Sequence, residues 1–203
     1  MIHQTCVIGS PAQVTTVEQN VPADANNVTI GQDNVLREFT CVHAPKHSTG
    51  KTIIGNKNFI MSHCVINHDC QVGNNCILSS GVKLAGFVCV QDMVNIGMQT
   101  AVHQGVVIGS CSMIGMGSSV VKHVPPFCLL NPKYTYINKL NQVGLLRYGF
   151  SPEDIKQIKQ YYRTNIISFI TDARIRRIID KYKHAVSVSE IKRPTYNIVF
   201  SQV

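Results

Sequence analysis

Three short stretches of this 203-residue chain hold side chains suited to chemistry: His43, then His63 with Asn67-His68-Asp69-Cys70, then Val102-His103-Gln104. The ordinary pKa of histidine lies near neutrality, so a neutral ring can take a proton from an attacking hydroxyl. A neighbouring carboxylate, as Asp69 is to His68, can fix the tautomer of the ring and steady the imidazolium that forms. Gly86 stands 18 residues after His68, and His103 stands 35 after it. A glycine N–H lets a carbonyl approach closely and can hold the oxyanion that develops on it. Base, orienting carboxylate and oxyanion donor are the parts that acyl transfer to a hydroxyl requires.

The intervals matter because the stretch that holds these residues repeats. From Ile54 to Val120 every sixth residue is aliphatic: Ile54, Ile60, Ile66, Val72, Leu78, Leu84, Val90, Ile96, Val102, Ile108, Ile114 and Val120. The residue two before each is small or β-branched, from Thr52 and Cys64 to Ser118, with Asn58 as the exception. Neither a helix nor a strand repeats at six. A short strand plus a turn does, and three such units close a triangular coil of about 18 residues whose aliphatic side chains point inward. Glycines such as Gly55, Gly73, Gly97 and Gly109 are expected to serve the turns. Positions roughly 18 or 36 apart stack along one edge, so His68, Gly86 and His103 are expected to form a column.

The fold class that follows is an all-β parallel β-helix with a C-terminal α-helical extension. Cys6-Val7-Ile8-Gly9 reads as a partial face, and the period returns at Val28-Thr29-Ile30-Gly31 and Val35-Leu36. Two loops, 10–27 and 43–51, break the period and are expected to project from the stack. Val124-Pro125-Pro126-Phe127 is expected to end the repeat, since proline cannot continue a ladder. We divide the chain into a β-helix over 1–133 and a basic helical region over 134–203. Ser151-Pro152-Glu153-Asp154 opens a helix with a cap, a first-turn proline and acids at the positive end of its dipole. Ile155, Ile158, Tyr162 and Ile166 follow at helical spacing. A second amphipathic segment runs from about Asp172 to His184, with Ile175, Ile178, Ile179 and Tyr182 on one side.

The formal charge is +8. From Ser151 onward ten basic residues face five acidic ones, with Arg174, Arg176 and Arg177 clustered. That balance suits an acidic partner. Nucleic acid is not expected, because no aromatic-basic interleaving or binding motif is present. No apolar run approaches a membrane span and no secretory signal opens the chain, so the expected location is the cytoplasm. Cys64, Cys70 and Cys76 fall on the six-residue period, hence on successive faces, and are expected to be small buried side chains.

The segments Asn67-His68-Asp69-Cys70, Leu84-Ala85-Gly86, Thr100-Ala101-Val102-His103-Gln104, Val124-Pro125-Pro126-Phe127 and Arg147-Tyr148-Gly149-Phe150-Ser151 carry a family resemblance. In register, they resemble the acyl-ACP:UDP-N-acetylglucosamine O-acyltransferases that begin lipid A biosynthesis. The resemblance implies a homotrimer of left-handed parallel β-helices with sites between subunits and no cofactor. His68 would be the general base, Asp69 its orienting partner and the Gly86 N–H the oxyanion donor. His43, His63, His103 and Gln104 would bind substrate. Met116, in the coil after His103, would line the end of the acyl groove and favour shorter chains. The donor would be a 3-hydroxyacyl thioester on acyl carrier protein, whose acidity matches the basic helices. The acceptor would be a nucleotide sugar such as UDP-N-acetylglucosamine.

The sequence also departs from that family. It carries fewer N-terminal coils, it has no basic residue in 10–27, and Phe87 stands where the family usually has a histidine. Two alternatives stand beside acyl transfer. His43, His63 and His68 are also spaced much as the zinc ligands of γ-class carbonic anhydrases, which share the β-helix. A non-catalytic β-helix scaffold is the other.

Overall fold

The computed structural model describes residues 1–14 and 27–200, so most of the expected first loop lies outside the described residues. From Phe59–Ile60 to Ser119–Val120 a two-residue strand recurs every six positions. Each pairs in parallel with the strand one coil away: Lys83 lies opposite Val65 and Ala101, and Leu84 opposite Ile66 and Val102. The strands sort into three sheets, which are the three faces of a prism. The first face carries Cys41–His43, Val65–Ile66, Lys83–Leu84 and Ala101–Val102. The second carries Thr52–Ile54, Gln71–Val72, Cys89–Val90 and Val107–Ile108, and the third Phe59–Ile60, Ile77–Leu78, Asn95–Ile96 and Met113–Ile114.

All twelve aliphatic residues of the six-residue period are buried, and so is the residue two before each. Most polar members of that second set are satisfied by the next coil. The thiols of Cys64, Cys70 and Cys76 donate to the carbonyls of Ser79, Ala85 and Gln91 at 3.2, 3.0 and 3.0 Å. Burial pushes the Cys70 and Cys76 thiols up to about 12, so they are inert packing groups. Asn58, the exception in the pattern, repeats the same logic with an amide. Its Nδ2 donates to the Gly73 carbonyl and its Oδ1 accepts the Cys76 N–H.

Glycine has a different duty from the expected one. The left-handed turn positions are mostly occupied by other residues, including His63, Asp69, Phe87 and Gln99 with φ between 57° and 61°. Gly55, Gly73, Gly97 and Gly109 instead follow the inward aliphatic residue, where coils stack most closely. A Cβ on Gly97 would sit 2.5 Å from the Met116 nitrogen, and one on Gly109 would sit 2.4 Å from that of Pro126. These glycines are required by the spacing between coils rather than by φ.

The repeat also continues past the prolines. Cys128–Leu130 pairs in parallel with Met113–Ile114 on the third face, and Lys139–Leu140 closes that sheet antiparallel. Pro125 and Pro126 lie in the turn before this strand, where a missing N–H costs no ladder bond. The chain between this strand and Ser151 holds a short helix, α1, Gln142–Arg147. The helix opened by Ser151 is α2, Pro152–Thr164, with a complete capping box between Ser151 and Asp154. It ends sooner than the apolar spacing suggests: Asn165 takes the left-handed conformation, and Ile166 lies beyond the helix and exposed. The third helix, α3, Ala173–Val188, is capped by Asp172 and buries Ile175, Ile178, Ile179 and Tyr182. Among the described residues no helix is long and apolar enough to cross a membrane.

After α3 the chain returns across the coils. The His123 N–H donates to the Pro194 carbonyl at 2.8 Å, and Thr195 bridges His123. The His123 ring is 1% exposed, and its Nδ1 accepts the Val107 N–H at 2.9 Å. Burial, reinforced by Arg193 and Lys192, holds its pKa below the usual 6.5. The unfolded chain therefore binds a proton that the folded chain refuses, and stability falls as pH drops below about 6.5. His123→Asn keeps an acceptor for Val107 and removes the titration. Denaturation midpoints at pH 7.5 and 5.5 should differ less in that variant than in the parent chain.

Candidate active site

The turn that follows the first face is where the candidate residues gather. Strand register puts His68, Gly86 and Gln104 at equivalent places in three successive coils. His103 is one residue earlier, in the row of His43, Asn67 and Ala85. The column thus runs His68–Gly86–Gln104, with His103 beside it, because a coil is 18 residues and His103 is 35 from His68.

His68 is 5% exposed, and its Nδ1 lies 2.9 Å from Asp69 Oδ2. A carboxylate only accepts, so Nδ1 carries the proton and Nε2 presents a lone pair. Asp69 is fixed in turn. Its Oδ2 accepts the Lys46 N–H at 2.9 Å, and its own N–H donates to Thr52 Oγ1 at 2.9 Å. The loop before Thr52 thus folds back onto the carboxylate, and a Cβ on Gly50 would strike Asp69 Oδ1. Nε2 of His68 faces the backbone of Gly86, where a Cβ would lie 2.3 Å from Cε1 of the ring. Among the described residues no acceptor takes the Gly86 N–H. Phe87 meets the His68 ring edge to face, centroids 5.1 Å apart, and gives the ring an apolar neighbour.

A groove opens beside this turn, lined by Lys51, Asp69, Phe87, Val188, Ser189 and Glu190. The end of α3 and the chain after it therefore border the site. Arg193 reaches His103 at 2.7 Å, a contact between residues 90 apart that no sequence pattern announces.

Of the other candidates, His43 shares the first face, one coil from Asn67, whereas His63 and Met116 are placed apart. His43 is 4% exposed, with Nδ1 on the Pro11 carbonyl at 2.9 Å and Nε2 against Cys41 Sγ at 3.4 Å. His63 and Met116 lie at turns after the third face, a different edge of the prism. His63 stacks on Phe39 with centroids 5.0 Å apart, and Met116 is 66% exposed. The three histidines weighed as zinc ligands are thus not brought together within one chain. Among the described residues no three His, Cys, Asp or Glu side chains cluster to hold a metal.

Comparison with known proteins accords with this geometry. Residues 51–86 match the bacterial transferase hexapeptide family of six repeats. Residues 123–193 match domain 2 of the UDP N-acetylglucosamine O-acyltransferases. The chain is 39% identical over 162 residues to the acyl-[acyl-carrier-protein]–UDP-N-acetylglucosamine O-acyltransferase of Burkholderia mallei strain SAVP1. The second family model and this relative alike make the chain similar to the UDP-N-acetylglucosamine O-acyltransferases. The match covers 79% of this chain and 60% of that relative, so the chain spans about three fifths of the relative's length. The Burkholderia orbicola enzyme is 40% identical over the same share. Among solved structures, the Francisella novicida UDP-N-acetylglucosamine acyltransferase superposes with a TM-score of 0.80 at 27% identity, covering 96% of this chain and 74% of that one. The Arabidopsis enzyme gives 0.76 at 27%, covering 94% and 72%. The fold is a left-handed parallel β-helix with a C-terminal helical part, in common with these solved structures.

Proposed function

We propose that this chain is an acyltransferase that moves a 3-hydroxyacyl group from an acyl carrier protein thioester to a hydroxyl of a nucleotide sugar such as UDP-N-acetylglucosamine. The observation that carries the reading is the His68–Asp69 pair, in which the buried His68 ring turns its free Nε2 to the Gly86 backbone. In the reaction, Nε2 takes the proton of the acceptor hydroxyl as its oxygen attacks the thioester carbonyl. The carbonyl oxygen, now anionic, accepts the Gly86 N–H. As the tetrahedral intermediate collapses, the C–S bond breaks and the imidazolium returns its proton to the departing thiolate. Asp69 keeps the ring in the reactive tautomer throughout. The burial of His68 keeps its ring out of bulk water, where these interactions would be weaker.

A homotrimer belongs to this reading. The edge that carries His63 also exposes Phe39, Met98 and Met116, at 58%, 47% and 66%. An exposed apolar row of this kind supports a neighbouring copy, whose His68 edge would lie across it with the acyl chain between. In that arrangement Met116 limits chain length. Each methylene buried is worth about 0.8 kcal/mol, so removing the obstruction shifts preference steeply. Met116→Gly is expected to move the optimum toward longer 3-hydroxyacyl donors while keeping dependence on His68. An unchanged profile across a donor series would refute the ruler.

The helices offer the carrier a basic surface, and the side chains divide by duty. Arg174 lies over the Phe150 ring at 3.8 Å and Arg176 Nε donates to the Ile170 carbonyl at 2.6 Å, so both hold the helices in place. Arg163 and Arg177 are exposed. Reversing these two to Glu is expected to raise KM for a carrier-bound donor and to flatten the salt dependence of the rate. Indifference to both changes would make the basic face a solvated surface. The acceptor is tested by offering the purified protein one carrier-bound donor with a panel of nucleotide sugars and weighing the products by mass spectrometry. An ester of UDP-N-acetylglucosamine supports the reading. Acylation of none of them would overturn it.

A further inference from the structure

The chain beyond α3 does more than border the site. Arg193 makes two contacts with the coil two on from His68: Nη2 lies 2.7 Å from His103 Nδ1, and Nε donates to the Gln104 carbonyl at 3.1 Å. The segment carrying Arg193 is pinned on both sides. Before it, Ser189 Oγ donates to the Gly105 carbonyl at 3.1 Å, and Ile191 lies against Gly105 so closely that a Cβ there would meet it at 2.5 Å. After it, the Pro194 carbonyl accepts the His123 N–H at 2.8 Å. Arg193 is therefore delivered to His103 by a seated segment rather than by a wandering side chain.

A guanidinium only donates hydrogen bonds. Nδ1 of His103 must then be the lone-pair nitrogen, and the ring proton sits on Nε2. His103 is exposed, and Gln104 next to it stands in the His68 column. We propose that Arg193 is a positioning residue for His103: it fixes the ring as the Nε2–H tautomer, so that His103 donates to an acceptor oxygen of the acyl donor. This rests on the acyl-transfer reading for its ligand but not for its tautomer. The arrangement mirrors the one at His68. There a carboxylate holds Nδ1–H and leaves Nε2 to accept, whereas here a cation holds the Nδ1 lone pair and leaves Nε2–H to donate. Two histidines two coils apart are set to opposite duties by the charge of their partners.

The test uses the full chain labelled with ¹⁵N-histidine. Long-range ¹H–¹⁵N correlation spectra, with His103 assigned by loss of its signals in His103→Ala, report which ring nitrogen is protonated. The expected result is the Nε2–H tautomer in the parent chain, its loss or averaging in Arg193→Met, and its return in Arg193→Lys. In kinetics, Arg193→Met should raise KM for the acyl donor about tenfold with kcat changed far less, and should add nothing to His103→Ala. An Nδ1–H tautomer in the parent chain, or a tautomer indifferent to Arg193→Met, would overturn the proposal. So would a KM effect that persists undiminished in the His103→Ala background. If the protein transfers no acyl group, the function reading fails and the spectra alone decide whether Arg193 sets His103.

Discussion

Replacing His68 by alanine is expected to lower acyl-transfer turnover by about 10³-fold, the range for loss of a positioned general base. The motive is geometric: Nδ1–H is held by Asp69 at 2.9 Å and Nε2 is left with a lone pair over Gly86. The coil stack does not depend on the ring, since its core is the buried aliphatic row. Circular dichroism and oligomeric state should therefore match the parent protein. Asp69→Asn should follow with a smaller loss. The amide cannot serve as the carboxylate does, and its Nδ2 can turn to donate to the ring and favour the wrong tautomer. Turnover within tenfold of the parent in His68→Ala would remove His68 from the mechanism.

Gly86→Ala carries the second large effect. Its Cβ would lie 2.3 Å from Cε1 and 2.4 Å from Nε2 of His68, so the ring has to move. A displacement near 1 Å at a reacting group costs about 10²-fold in rate, and the methyl group also occupies the approach to the N–H. The loss should appear in kcat, with the coil intact. Gly149→Asn is the matched control: it is a glycine with φ of 78° and nothing within 4 Å of a Cβ, and asparagine tolerates that conformation. Its activity should stay near that of the parent. Equal activity in Gly86→Ala would mean that His68 does not work from the position it occupies.

How far the sequence carried can be told residue by residue. The six-residue period places the twelve aliphatic side chains without error because it reports the geometry of the core directly. The His68–Asp69 pair is legible for the same reason, since neighbours in sequence share one turn. The column is legible to within a residue. Coil length fixes Gly86 beside His68, but 35 is not 36, and Gln104 takes the place that His103 was expected to fill. Contacts made across coils or by the returning chain leave no periodic trace. Lys46 on Asp69, Phe87 on His68 and Arg193 on His103 are of this kind. The early end of α2 at Asn165 has a local cause, a left-handed cap that the apolar spacing does not register. The strand after Pro125–Pro126 was hidden because the prolines fall in a turn, not in the ladder they would have broken.

The central claim is acyl transfer at His68, and one measurement meets it most directly. Purified protein is mixed with a 3-hydroxyacyl carrier protein and UDP-N-acetylglucosamine, in parallel with the His68→Ala variant, and the nucleotide sugar is weighed at early times. The account predicts a product heavier by one 3-hydroxyacyl group, formed with release of free carrier thiol, in the parent and at about a thousandth of that rate in the variant. No acylated sugar from the parent across a series of donor lengths, or equal product from both proteins, would contradict it.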